Sequence, residues 1–66
     1  MKILCNGEAR EMPSGTRVAD YLNQLGLDAL SVVVECDGKI LTQEEYGSHA
    51  LQDGSVLELI RFVGGG

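Results

Sequence analysis

Apolar and polar residues along this chain follow two different periods. Lys2 to Asn6 and Ala9 to Met12 read as a pair of short strands, and Asn6-Gly7 between them is a hairpin dipeptide whose residues tolerate positive φ. Pro13-Ser14-Gly15 breaks the strand pattern. The period then changes: Val18, Tyr21, Leu22 and Leu25 fall at i, i+3, i+4, i+7 spacing, which predicts a helix capped by Thr16 and closed by Gly26 as a left-handed residue.

After a short connection, the β-branched run Val32-Val33-Val34-Glu35-Cys36 predicts a strand, Asp37-Gly38 a second tight turn, and Lys39-Ile40-Leu41 a short return. Thr42-Gln43-Glu44-Glu45 has the form of a capping box, so one helical turn should follow and carry Tyr46 toward the core before Gly47 ends it. Asp53-Gly54 marks a further turn. Ser55 to Val63 is the longest strand signal and contains neither Gly nor Pro.

This order is ββ, helix, ββ, short helical turn, β. One amphipathic helix can cover one face of a mixed sheet of about five strands, with the first and last strands parallel because the helix supplies the long crossover that parallel pairing needs. The layout is that of an α+β, β-grasp (ubiquitin-like) domain; another small α+β roll is the alternative. Strand parity assigns Ile3, Cys5, Val34, Cys36, Leu57 and Leu59 to the core, with Val18, Leu22, Leu25 and Leu51 packed on them. Ile60 and Phe62 share the parity of the polar Glu58 on the opposite face, and an apolar pair there reads as a docking patch, the alternative being a pair covered by loops or by the twist of the sheet.

Composition narrows the function classes. With 66 residues the chain is one domain, without room for a deep pocket of its own, and 44% hydrophobic residues make it a folded one. Ten acidic against five basic residues give a net charge of −5, which opposes binding to nucleic acid and to anionic membranes. The first residues turn polar too early for a signal peptide, so the expectation is a cytoplasmic protein, monomeric when free. Cys5 and Cys36 lack CxxC spacing and read as reduced core residues. His49 stands alone in a loop, and the adjacent Glu44 and Glu45 point apart on a helical turn, so no acid–base or nucleophile constellation is present and no metal site is indicated.

The chemistry-bearing feature is Gly64-Gly65-Gly66. Three glycines have no side chain to pack, and ordering each would cost roughly 1–2 kcal/mol. Without Cβ atoms they can thread a narrow channel, and from Val63 they reach about 13 Å at roughly 3.3 Å per residue. The expected organisation is a domain over residues 1–63 and a glycine tail over 64–66, with Ile60, Arg61, Phe62 and Val63 as the residues a partner would grip.

From Met1 through Asn6-Gly7, Thr16 to Leu25, Tyr46 and Asp53-Gly54 to the ending Glu58-Leu59-Ile60-Arg61-Phe62-Val63-Gly64-Gly65-Gly66, the whole chain resembles the ThiS family of sulfur carriers in thiamine biosynthesis. The resemblance implies that an adenylating partner of the ThiF type uses ATP and Mg²⁺ to activate the Gly66 carboxylate. A persulfide sulfur derived from cysteine, by way of a cysteine desulfurase, then displaces AMP, and the Gly66 thiocarboxylate supplies sulfur to thiazole synthase, ThiG. The chain itself would bind no cofactor and perform no catalysis. Two other readings stay open: a sulfur carrier like the molybdopterin synthase small subunit, and a ubiquitin-like modifier joined to lysines of other proteins.

Overall fold

A computed structural model describes residues 1–62. It begins with strands β1 (Lys2–Cys5) and β2 (Glu8–Glu11), followed by helix α1 (Val18–Gln24), a 3₁₀ turn (Ala29–Ser31), β3 (Val32–Cys36), β4 (Lys39–Ile40), the short helix α2 (Gln43–Tyr46) and β5 (Val56–Arg61). The five strands form one sheet in the order β2-β1-β5-β3-β4. β1 and β5 run parallel at its centre, and the other neighbours are antiparallel. This is the expected β-grasp, with the last strand in the middle.

Both hairpins turn on a pair of residues with positive φ, Asn6 (50°) with Gly7 (82°) and Asp37 (51°) with Gly38 (85°). Such turns match the twist of the flanking strands, and Asn and Asp tolerate the left-handed region better than other side chains do. Each turn also reaches sideways to β5. The Asn6 side chain accepts from the Leu59 N–H at 2.8 Å, and the Asp37 carboxylate accepts from the Val56 N–H at 2.9 Å.

Helix α1 starts one residue later than the sequence suggests. Arg17, not Thr16, is the cap: its N–H donates to the Asp20 carboxylate at 3.0 Å. The Thr16 hydroxyl donates instead to the Pro13 carbonyl at 2.7 Å, and its carbonyl accepts from the Leu51 N–H at 2.8 Å, so Thr16 serves the preceding turn and ties it to residue 51. At the other end Gly26 adopts φ 71° as expected, which lets the Leu27 N–H donate back to Leu22 at 2.9 Å. In α2, the Glu45 carboxylate accepts from the Thr42 N–H at 2.9 Å and from its hydroxyl at 3.2 Å, the carboxylate half of the predicted capping box. Those bonds, led by the Thr42 N–H, hold the Glu45 carboxyl below its ordinary pKa.

The core lies between the inner sheet face and α1. Ile3, Cys5, Val18, Leu22, Val34, Cys36, Leu51 and Leu57 are buried as expected. Two expectations need correction. Leu25, at the helix C-cap, is 45% exposed because the helix leaves the sheet before that turn, and Leu59 is only half-buried because α1 ends short of it. Met12, Val32 and Leu41 complete the core instead. Tyr46 is buried, and its hydroxyl donates to the Val32 carbonyl at 2.8 Å. The connection before β3 holds a 3₁₀ turn in which the Asp28 carboxylate accepts from the Leu30 N–H at 3.0 Å.

A domain of this size has about 3–10 kcal/mol of stability in all. Leu57→Ala, at a site with no exposure, should therefore remove roughly 2–5 kcal/mol, a large share of the total. Leu25→Ala should cost less than about 1 kcal/mol. Urea unfolding midpoints of the two variants check the pair, and equal losses would contradict the placement of Leu25.

Candidate docking surface at the end of the central strand

Every residue singled out near the chain end sits on or beyond β5, and alternation splits them between two faces. Ile60 (56% exposed) and Phe62 (51%) lie on the outer face, away from α1. Arg61, also exposed, projects with Leu57 and Leu59 toward the helix side. The expected gripping set is therefore not one cluster. Val63, Gly64, Gly65 and Gly66 lie outside the described residues.

On the outer face, the sheet register adds residues that the sequence reading did not single out. Leu4 pairs with Val56, Val33 with Ile60, and Ile40 with Glu35, which in turn faces Glu58. Leu4, Val56 and Ile40 are exposed. An apolar band thus crosses the sheet around two carboxylates. The signal was available, because Leu4 has the parity opposite to Ile3 and Cys5, and Val56 that of Glu58. What the sequence could not supply was the β1–β5 neighbourhood that joins them.

On the helix side, the end of β5, the end of α1 and the first hairpin enclose an open groove of about 250 Å³. Glu8, Arg10, Tyr21, Leu25, Leu27, Leu59 and Arg61 are among the residues that line it. Tyr21 is buried beside the Cys5 thiol, and burial first, then that thiol, pushes its hydroxyl up to about 12, an effect partly offset by the Arg10 guanidinium. Arg10 also pairs with Glu8 at 2.9 Å. Among the described residues no carboxylate pairs with Arg61.

The strand end between these faces is held by the Asn6 side chain. Besides accepting from Leu59, its amide donates to the Leu59 carbonyl at 3.4 Å, while the Asn6 N–H donates to Leu57 at 2.9 Å. The side chain thus continues the β1 ladder past the point where β1 turns away. On the far side, the Phe62 N–H donates to Ser31 at 3.1 Å.

The structure does bring together one pair that the sequence kept apart. His49 is not isolated: its Nε2 lies 3.5 Å from Cys36 Sγ. The pair is not an activated nucleophile, because burial and the neighbouring Asp37 carboxylate push the Cys36 thiol above its ordinary pKa and it stays protonated. Both cysteines are free and buried. Glu45 pairs with Lys39 at 3.4 Å, and Glu44 is exposed. Among the described residues no cluster of His, Cys, Asp or Glu could hold a metal, and no helix is long and apolar enough to cross a membrane.

Comparison with known proteins adds what geometry alone does not. The sequence pattern of the ThiS family matches residues 3–66. The chain belongs to the ThiS family. The sulfur carrier protein ThiS of Escherichia coli is 29% identical over the full length of both chains. The crystal structure of the thiamine biosynthesis protein ThiS from Geobacter metallireducens, also 29% identical, superposes over all of both chains with a TM-score of 0.84. Regions of two proteins named thiazole synthase, from Paramagnetospirillum magneticum and Magnetococcus marinus, are 38% and 35% identical to the whole chain. The chain spans about a fifth of the length of those two, 20% in each case.

Two outcomes follow from this geometry. Asn6→Gly keeps the positive φ but removes the side-chain clamp, so it should cost about 1–2 kcal/mol and speed hydrogen exchange at the Leu59 amide more than at Val34; equal acceleration at both would contradict a local clamp. Tyr21 has a folded pKa raised from 10.0 to about 12, so the stability it contributes is complete below pH 10 and is lost as pH rises toward 12. Unfolding free energies of Tyr21→Phe and the unaltered chain across that window should converge as the pH rises.

Proposed function

We propose that this chain is a sulfur carrier of thiamine biosynthesis, a protein substrate rather than a catalyst, acting in the cytoplasm through the carboxylate of Gly66. The observation that carries this reading is its full-length likeness to the sulfur carrier protein ThiS of Escherichia coli. The geometry fits: β5 leads from the sheet centre directly toward residues 63–66, and the exposed Ile60 and Phe62 stand where a partner holding those residues would close on the domain.

A carboxylate is a poor acyl electrophile, since its oxygens share a negative charge. A ThiF-type partner, supplying ATP and Mg²⁺, would first join the Gly66 carboxylate to AMP with loss of pyrophosphate. A persulfide sulfur would then displace AMP, and cleavage of its sulfur–sulfur bond by a thiol would leave the thiocarboxylate. Gly64 and Gly65 provide the reach, and Ile60, Arg61, Phe62 and Val63 the grip. The two thiazole synthases that contain a region like this chain favour thiazole synthase as the acceptor over a molybdopterin synthase.

The test is mass spectrometry of the full chain after incubation with a ThiF-type enzyme, ATP, Mg²⁺ and a persulfide donor. The expected product is heavier by the difference between sulfur and oxygen. Deleting Gly65 and Gly66 should leave the unfolding curve unchanged and abolish the gain. An unmodified full-length chain beside an enzyme that loads another carrier would refute the assignment.

A further inference from the structure

The groove on the helix side of β5 has a character at odds with the rest of the molecule. The chain carries ten acidic and five basic residues, yet Arg10 and Arg61 line this one depression. The rest of the lining is mixed: Leu25 and Leu27 follow the end of α1 and Leu59 comes from β5, while the first hairpin adds Cys5, Asn6 and Glu8, the last of them paired with Arg10. Leu25 is 45% exposed although helical spacing would bury it, so the groove presents an apolar side chain that the domain's own packing leaves open. At about 250 Å³ it is smaller than ligand pockets, which run from roughly 300 to 1,000 Å³, and it suits one or two inserted side chains rather than a cofactor.

We propose that this groove is a second docking surface, which receives an extended acidic segment of the tail-handling protein, seating an aliphatic side chain against Leu25, Leu27 and Leu59 and a carboxylate on Arg61. Charge complementarity selects the occupant. Glu8 already pairs with Arg10, whereas Arg61 has no carboxylate partner among the described residues, and a guanidinium presents a planar fork that a carboxylate can meet with two parallel hydrogen bonds. A basic segment would meet like charge. Continuity supports the same choice: Leu59 and Arg61 alternate along β5 with Ile60, so a partner closing on the outer apolar band needs only to wrap the strand end to reach the groove. The domain would then be held from both sides of one strand, by apolar contact outside and by an ion pair beside apolar contact inside. This inference rests on the sulfur-carrier reading for the identity of the partner, but not for the groove's preference for acid.

The test uses the full chain and two binding partners. Affinity for a ThiF-type enzyme is measured for the unaltered chain, Arg61→Glu and Arg61→Lys, at low and high salt, beside sulfur loading by mass. Arg61→Glu should weaken binding roughly tenfold or more and flatten its salt dependence, while Arg61→Lys should stay within about threefold. Unchanged affinity in Arg61→Glu, with loading of the unaltered chain intact, overturns the groove and leaves the carrier reading standing. If the unaltered chain neither binds nor loads, the carrier reading fails, and the groove is judged by NMR titration with the peptide acetyl-Glu-Leu-Asp-Leu-Glu-amide against its lysine counterpart. Shifts at Tyr21, Leu25 and Leu27 with the acidic peptide alone support it; their absence overturns it. Shifts of those amides on deleting Gly65 and Gly66 without any partner would assign the groove to the chain's own end and overturn the proposal.

Discussion

The arrangement depends on one constraint: β5, the last strand to be made, must enter the middle of the sheet. A central strand needs partners on both edges, yet β1 offers only four residues before its chain turns back. The two hairpin turns make up the difference. Asn6 on one side and Asp37 on the other adopt positive φ, which frees their side chains to bond the β5 backbone at Leu59 and Val56. One residue type at each corner therefore does two things: it reverses its own hairpin and fixes the register of a strand some twenty or fifty positions away in the chain.

With β5 fixed, alternation does the rest. Leu57 has no exposed surface and anchors the strand in the core, and the residues after it emerge by turns on two faces with different chemistry. The outer face is an apolar band interrupted by Glu35 and Glu58; the inner face, beyond the reach of α1, is a groove in which leucines, Tyr21 and two arginines, one of them paired with Glu8, come together. Because α1 ends at Gln24, the sheet outlasts its helical cover, and this shortness of the helix opens the groove.

Most of the fold was legible because its signals are local. Asn6-Gly7 and Asp37-Gly38 specify their turns, Thr42 and Glu45 specify α2, and strand parity separates Ile3 and Val34 from Ile60. The misreadings share a cause in tertiary competition. Thr16 is a good cap in isolation, but its hydroxyl is taken by Pro13 and its carbonyl by Leu51. Leu25 continues a helical stripe that has nothing to pack against once the sheet is left behind. The outer band and the groove each draw residues from both ends of the sequence, and neither Leu4 beside Val56 nor Arg10 in the same depression as Arg61 can be found without the pairing of β1 and β5.

The placement of the thiols has a consequence for chemical safety. Were the carboxyl group of Gly66 activated as proposed, a nearby thiolate of the same chain would compete with the external donor by capturing the acyl group as a thioester. Cys36 lies against His49 and is kept protonated by burial beside Asp37, and Cys5 is buried beside Tyr21. On the sulfur-carrier reading, keeping both thiols within the domain leaves the choice of nucleophile to the protein that would hold the chain end.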